Sequence, residues 1–462
     1  MSGPIMQGPI IQGWCPGALR PMRSGDGWVV RVRPPGGRLT QAQAAGIAAL
    51  AVAHGNGLID LSARANVQLR GVTPETHTPL IEGLEALGLL DSDPEREARR
   101  NIVVAPFWGE DDPAPRIAAA LAQALAAADA PATPGKFGYA VDTGTTPVLR
   151  EVSADIRIER GEGGLICRAD GADRGALVSE DNAADVALAL ARWFLEAGGA
   201  PEGRGRMAAL LARVTLPERF AGASARGVAE AGAGAADPDV DALSAVQQSH
   251  SLSQPAAASA SWDVAAQADA ASTAFDISGR ANDASAVVRR QSRSKPLPPP
   301  PPPRPGPHPA GALVAFEFGQ LHAETLATLA QLGRLRVTPW RMLLIEGAAT
   351  PPAIPGLITR PDDPLLNVTA CTGAPGCLQA HAPTRPLARA LAAHIKRPLH
   401  VSGCAKGCAH PGPSALTLTA TARGFDLIRD GSAADAPALT GLDPQALIRD
   451  PSILNGPTDA PV

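Results

Sequence analysis

The sequence predicts an α+β protein made of two similar halves, and three observations lead to this prediction. The order strand, helix, strand, strand occurs twice, on either side of a stretch of different composition. In both halves the paired strands after the helix end at a glycine. A chain of 462 residues with 45% apolar content can also bury more than one core of ordinary size.

In the first half, GWVVRVRP at 27–34 alternates as a strand does. Thr40 is placed to cap the apolar helix that follows it, AQAAGIAALAVAHG. LIDLSARANVQLRGV at 58–72 then predicts two paired strands, and TPLIEGLEALGLL predicts a second helix.

The second half repeats this order. ALVAFEFG at 312–319 is strand-like, ETLATLAQLG is helical, and LRVTPWRMLLIEG at 335–347 predicts a strand pair. Residues 59–71 and 335–347 match in length without gaps, and RRNIVVAP is echoed by LLNVTACT. Two later hairpin patterns, at 155–171 and 416–431, also correspond. We therefore infer a duplicated α+β unit, and chance similarity of two generic patterns stays open as the alternative.

A stretch rich in Ala, Ser, Asp and Gly separates the halves and ends in KPLPPPPPPRPGPHP. Such a composition buries too little apolar surface to offset its chain entropy, so residues 221–310 are predicted to be a disordered linker with a stiff polyproline end. A proline-rich ligand for a partner is the alternative. The predicted domains are 1–90 and 91–220 before the linker, and 311–360 and 361–462 after it.

Composition excludes several classes of protein. Lysine and arginine number 41 against 45 acidic residues, a net charge of −4, so no overall basic field favours nucleic-acid binding. The first residues lack the pattern of a signal peptide, and no apolar run is long enough to span a bilayer. The sequence predicts a cytoplasmic protein that binds neither nucleic acid nor membrane.

Four of the six cysteines carry the strongest chemical signal: five residues separate Cys371 from Cys377, and three residues separate Cys404 from Cys408. Four thiolates from two glycine-containing loops suit a 4Fe-4S cluster, since each iron takes one cysteine. A structural zinc site is the alternative, although the five-residue gap fits its usual spacing poorly. We interpret Cys167 as a core residue.

Two further residue types are weaker candidates. The role of Cys15, before a proline, is open. His400 and His410 lie near the cysteines, and we interpret them as ordinary polar residues rather than as metal ligands.

The C-x5-C and C-x3-C pairs resemble the cluster motif of the siroheme-dependent sulfite and nitrite reductases, and the duplicated halves resemble the repeats of that family. The resemblance covers nearly the whole chain apart from the linker. It implies ferredoxin-like half-domains plus larger α/β domains, with the cluster in the last domain, held by Cys371, Cys377, Cys404 and Cys408.

The resemblance also implies a tetrapyrrole site in the first half. SARANVQLRG matches the family segment that contacts the carboxylates of the ring, although Ala65 stands where most members have glutamine. The residues matched there are Arg64, Asn66, Gln68, Arg70 and, from RRNIVVAP, Asn101. The residues matched to catalytic positions are Arg33, Arg100 and Lys136. The second lysine of the family is here Gly138. Independently of the family, converging guanidinium groups are well suited to bind a polycarboxylate, while surface ion pairs are the alternative explanation for each arginine.

Two departures from the reductases favour an oxygenase branch of this family. The second cysteine pair encloses Ala405 and Lys406 in SGCAKGCAHPGP, and residues 13–27 read GWCPGALRPMRSGDG. This branch implies hydroxylation of the tetrapyrrole precorrin-3A at a meso carbon with closure of a γ-lactone, using O2 and electrons from NADH or a reductase. It also implies a mononuclear non-haem iron, for which the sequence indicates no ligands, and a monomeric enzyme.

Two alternatives stay open. One is an assimilatory sulfite or nitrite reductase, which would carry siroheme. The other is a noncatalytic zinc or iron-sulfur module whose polyproline linker recruits partners.

Overall fold

The computed structural model describes residues 16–222 and 302–455, and both ranges belong to one structural unit. Cys15 and residues 223–301 of the predicted linker lie outside the described residues. The end of that predicted linker is described, and Gly306–His308 forms a strand there because it pairs with the next strand in a hairpin. Among the described helices, none has the length and apolarity needed to cross a bilayer.

The first half begins with a sheet and two helices. Thr40 and Thr73 each cap a helix. The threonine side chain accepts a hydrogen bond from the backbone N–H of the third helical residue, and the side chain of that residue accepts one from the backbone N–H of the threonine. In chain order the elements are β1 (Met22–Ser24), β2 (Gly27–Val32), β3 (Arg38–Leu39), α1 (Gln41–His54), β4 (Leu58–Leu61), β5 (Val67–Val72) and α2 (Pro74–Ala86).

The first half continues into a second sheet. Its elements are α3 (Pro94–Arg99), β6 (Ile102–Val104), α4 (Ala114–Ala126), β7 (Tyr139–Asp142), β8 (Ile156–Gly161), β9 (Gly164–Ala169), β10 (Ala176–Val178), α5 (Ala183–Glu196), α6 (Met207–Leu211) and α7 (Glu218–Ala221). The strand order is β10-β9-β8-β7-β6, in which β6, β7 and β8 run parallel and the others antiparallel. Helices α4 and α5 pack against each other and against this sheet.

The second half has a similar order of elements. They are β11 (Gly306–His308), β12 (Gly311–Phe316), β13 (Gln320–His322), α8 (Ala323–Leu332), β14 (Leu335–Val337), β15 (Met342–Glu346), β16 (Leu357–Ile358), β17 (Val368–Ala370), α9 (Arg385–Ala392), β18 (Leu399–Ser402), β19 (Ser414–Thr421), β20 (Gly424–Gly431), β21 (Leu439–Leu442) and α10 (Pro444–Arg449). Strand β16 stands where the first half has α2 and α3. The last sheet has the order β17-β18-β19-β20-β21, again with three parallel strands followed by antiparallel ones.

The two halves exchange a strand. The first half-sheet has the order β1-β2-β5-β4-β13, and the second has the order β11-β12-β15-β14-β3. Each therefore receives a short strand from the other half, antiparallel in both cases. Helices α1 and α8 pack together over these sheets, and one apolar core contains Ile47 and Leu69 from the first half with Leu329 and Ile345 from the second. Since the strand exchange and the core both join the halves, we expect them to fold together.

The backbone confirms the duplicated α+β fold position by position. Ala65 and Arg341 are equivalent in the repeat, and both adopt the left-handed conformation, with φ of 53° and 59°. Gly71 and Gly347, also equivalent, have φ of 72° and 73°. Gly71 is the last but one residue of β5 and Gly347 directly follows β15, so a glycine of positive φ lies at or near the end of both strand pairs.

The repeat also carries an ion pair with its charges reversed. In the first half Asp60 of β4 pairs with Arg70 of β5 at 2.9 Å. At the equivalent positions of the second half, Arg336 of β14 pairs with Glu346 of β15 at 2.6 Å. The position therefore keeps a charge pair in both halves while the chemistry around it differs.

Candidate functional site

The four cysteines of the motif lie at one edge of the last sheet. Cys371 directly follows β17, and Cys404 lies two residues after β18. Because β17 and β18 are adjacent and parallel, their carboxyl ends meet at the same edge. The backbone N–H of Gly403 donates to Sγ of Cys371 across 3.1 Å, so the two cysteine loops are in direct contact.

The thiols are close enough to influence one another electrostatically. Burial raises the pKa of Cys404, and the nearby thiols of Cys377 and Cys371 raise it further. Although Cys408 is exposed as a residue, desolvation of its thiol raises its pKa as well, with contributions from the other three cysteines. Four thiolates so placed need a cationic partner to stay deprotonated together.

The residues present fit an iron-sulfur cluster. An amide N–H on a cysteine sulfur is the kind of contact that surrounds such clusters, and Gly403 supplies one. Gly373 and Gly407, one in each loop, have φ of 67° and 60°, which lets the backbone turn back within each loop. Within the described residues, no three His, Cys, Asp or Glu are grouped as ligands of a single metal ion. Each thiolate of a cubic cluster binds a different iron, so the cysteines of a cluster lie further apart than the ligands of a single metal ion.

Two of the predicted tetrapyrrole residues meet near Lys136, a residue predicted to be catalytic. Arg64 donates from Nη2 to the carbonyl of Lys136 at 2.9 Å. Asn101 donates from Nδ2 to the carbonyl of Phe137 at 2.9 Å, one residue further along. Arg64, Asn101 and Lys136 therefore lie around the segment that leads into β7. Asn66, two residues after Arg64, is buried and has no hydrogen-bond partner at Nδ2 among the described residues.

Four other predicted residues are already engaged by protein groups. Arg33 pairs with Glu97 at 2.8 Å, and both side chains are only 5% exposed. Arg100 pairs with Asp91 at 2.7 Å, and Oε1 of Gln68 accepts from Arg31. Arg33, Arg100 and Gln68 therefore each bind another side chain of the protein.

The fourth engaged residue is Arg70. It is 4% exposed and pairs with Asp26 at 2.6 Å and with Asp60 at 2.9 Å. Its guanidinium is thus a buried group between two carboxylates.

Sequence reasoning did not identify Glu97, Asp26 or Arg341 as parts of this region. Arg341 lies in the left-handed turn between β14 and β15, and its Nη2 donates to the carbonyl of Ala409 at 2.7 Å, next to Cys408. The only signal that could have indicated it is its equivalence to Ala65 in the repeat. Asp26, the partner of Arg70, lies in the hairpin of β1 and β2, and Glu97, the partner of Arg33, lies in α3. No spacing in the sequence links these carboxylates to the arginines.

His400 and Cys167 are both fully buried core residues. His400 lies in β18, and neither ring nitrogen has a hydrogen-bond partner among the described residues. Burial lowers the pKa of His400 to about 4, so the ring is neutral near pH 7. Cys167 lies in β9, where burial raises the pKa of its thiol to about 12, which agrees with its interpretation as a core residue.

The fold is that of the nitrite and sulfite reductases. The solved structure of the Mycobacterium tuberculosis NirA protein matches with a TM-score of 0.56 and 17% sequence identity, over 87% of this chain and 74% of that chain. The profile of the nitrite/sulfite reductase ferredoxin-like half domain matches residues 20–87, which contain β1 to α2. The chain is also similar to a precorrin-3B synthase from Sinorhizobium sp, with 27% identity over 461 aligned residues that cover 92% of this chain and 84% of the relative. The resemblance seen in the sequence motifs is confirmed.

Proposed function

We propose that this protein is a precorrin-3B synthase, which hydroxylates precorrin-3A at a meso carbon with O2 and closes a γ-lactone. The observation that carries the proposal is the set of four cysteines at the ends of two adjacent parallel strands, in a chain similar to a precorrin-3B synthase over 92% of its length. One oxygen atom of O2 enters the product, and the other leaves as water with two electrons from the donor.

In this proposal Cys371, Cys377, Cys404 and Cys408 would hold a 4Fe-4S cluster. When bound, such a cluster supplies single electrons to the reaction. Gly403 would stabilise the thiolate of Cys371 by its N–H, since an amide dipole at a sulfur favours the charged form.

Arg64, Lys136 and Asn66 would bind the ring carboxylates. Arg64 and Lys136 supply cationic donors, and a guanidinium can bind a carboxylate through two parallel hydrogen bonds. Asn66 offers a buried N–H donor that has no partner among the described residues. A buried donor without an acceptor is unfavourable, so a ligand that accepts a hydrogen bond from this N–H would be favoured at Asn66.

The remaining predictions of the sequence belong to this proposal. They are O2, NADH or a reductase as electron donor, a mononuclear non-haem iron without named ligands, a monomeric state and a cytoplasmic location. The predicted domain boundaries likewise stay predictions.

An assimilatory sulfite or nitrite reductase with siroheme is the second candidate, and the likeness to the NirA protein favours it. Gly138 argues against it. A Cβ atom at Gly138 would lie 3.1 Å from the carbonyl oxygen and 3.2 Å from Nδ2 of Asn101, so the backbone here leaves little room for the second lysine that the resemblance implies for reductases.

The test uses the full chain purified without oxygen. We expect conversion of precorrin-3A on addition of O2 and a reductant, iron and labile sulfide in the protein, and no Soret-type absorption band. Reduction of sulfite or nitrite with methyl viologen, together with a retained Soret band, would instead identify the reductase. A protein that holds zinc in place of iron would contradict both candidates.

A further inference from the structure

The carbonyl of Gly376, beside Cys377, is held by three donors from the first half. Oγ of Ser24 donates to it at 2.5 Å, the backbone N–H of Gly25 at 3.1 Å, and Nη2 of Arg70 at 3.3 Å. All three donors come from β5 or from the hairpin of β1 and β2. The first cysteine loop is thus fixed to a sheet that lies more than 300 positions earlier in the chain.

Arg70 is oriented for this contact by two carboxylates. Its Nε and Nη2 donate to the two oxygens of Asp26 at 2.8 and 2.6 Å, and its Nη1 donates to Asp60 at 2.9 Å. Nη2 also donates to Oγ of Ser24 at 3.0 Å. Because Nη2 has two N–H groups, one donates to Asp26 and the other is shared between Oγ of Ser24 and the Gly376 carbonyl, and the planar guanidinium is held in this orientation by its carboxylate partners.

The loop and the hairpin are also in close steric contact. A Cβ atom at Gly25 would lie 2.0 Å from the carbonyl oxygen of Pro375, so only glycine fits there. The same loop carries Cys371 and Cys377, and its second contact, from Gly403 to Cys371, comes from the other cysteine loop. The position of the first loop is therefore set from two sides.

The repeat provides a reference for the ion pair. Arg336 and Glu346 occupy the positions of Asp60 and Arg70 in the second half, and Arg336 donates to the carbonyls of Pro106 and Trp108. These acceptors lie in the segment after β6, and none of the hydrogen bonds of Arg336 within the described residues joins it to a cysteine loop. The two pairs are alike in burial and strand register but differ in what the arginine holds.

We propose that Arg70, with Ser24, is a positioning residue that holds the first cysteine loop in its cluster-binding conformation, rather than a ligand of the tetrapyrrole carboxylates. This inference rests on the proposed cluster. Its consequence is that the first half-domain sets how firmly the cluster is retained, although all four cysteines belong to the second half.

The experiment measures release of iron to a chelator from the anaerobically purified full chain, followed by loss of the visible absorption of the cluster. The variants are Arg70→Lys, which keeps the charge but loses the planar guanidinium, and Ser24→Ala, which removes the hydroxyl that donates to Gly376 and accepts from Arg70 but leaves both carboxylate partners of Arg70 in place. Arg336→Lys is the matched control. The dissociation constant of precorrin-3A is measured for the same proteins.

We expect Arg70→Lys to release iron about tenfold faster than the wild type, since it loses a charge-assisted hydrogen bond, and Ser24→Ala to release it about fivefold faster. Arg336→Lys stays within about twofold of the wild type, and tetrapyrrole affinity is unchanged in all three. Unchanged iron release in Ser24→Ala overturns the inference even where Arg70→Lys does not fold. Weaker tetrapyrrole binding by Arg70→Lys with unchanged iron release overturns it too. Absence of any iron-sulfur cluster in the wild type would instead refute the proposed function.

Discussion

The buried pair of Arg33 and Glu97 makes a quantitative prediction about stability. The Glu97 carboxylate lies 2.8 Å from Nη1 of Arg33 and accepts from the N–H groups of Ala18 at 2.6 Å and Leu19 at 3.3 Å. A glutamine at position 97 carries no charge, and its single carbonyl oxygen can replace only one of the two carboxylate oxygens that accept these N–H groups. Glu97→Gln would therefore leave a guanidinium that is 5% exposed without its counter-ion.

Removing one member of a buried ion pair costs about 3–5 kcal/mol, because the remaining charge keeps its desolvation penalty. We expect Glu97→Gln to lower the free energy of unfolding by about that amount in urea titrations at pH 7. In Arg33→Met/Glu97→Gln no charge is buried, so part of the loss should be recovered. Glu180→Gln, which breaks the exposed pair with Arg116, is the control and should change the urea midpoint little.

The result also decides what Arg33 does. The family resemblance places Arg33 at the face of the tetrapyrrole, whereas the structure pairs it with Glu97. A Glu97→Gln protein as stable as the wild type would mean that Arg33 does not depend on Glu97, and the account of this ion pair would be refuted.

Three further predictions concern the thiols, a buried acid and the ligand. Cys377→Ser should lower the iron content measured by atomic absorption, whereas Cys167→Ser should leave it unchanged because that thiol lies in the core of the first half. Burial raises the pKa of Asp142 to about 6, above its ordinary value of 3.8, so the contribution of Asp142 to stability is complete below about pH 4 and is lost as the pH rises through about 6. The difference in unfolding free energy between the wild type and Asp142→Asn should therefore change by up to about 3 kcal/mol over this pH range. A difference that stays constant with pH would contradict this pKa. Arg64→Ala should weaken precorrin-3A binding by about tenfold or more in anaerobic fluorescence titrations, since one charge-assisted hydrogen bond is lost, and unchanged affinity would remove Arg64 from the site.

The duplicated fold could be predicted because its signals are local. Thr40 is a helix cap that a sequence displays directly, and the glycines at 71 and 347 mark a turn with positive φ in each half. The strand exchange could not be predicted. Strands β3 and β13 have two and three residues, and nothing in such short segments indicates which sheet they join.

The candidate site divides in the same way. The spacing of the cysteines predicted that the two loops lie together, and the structure brings them into contact; their role as cluster ligands stays a prediction. The environment of the arginines was not predictable, since a sequence does not show which carboxylate faces a guanidinium. Arg70 is the example: its motif suggested a ligand contact, and Asp26 and Asp60 enclose it in the structure.

The most direct test of the central claim is incubation of the anaerobically purified protein with precorrin-3A, a reductant and isotopically heavy oxygen gas, followed by mass spectrometry of the tetrapyrrole. The account predicts a product that has gained one heavy oxygen atom, formed by the wild type and not by Cys377→Ser. A wild-type protein that retains its full iron content yet leaves precorrin-3A unlabelled would contradict it.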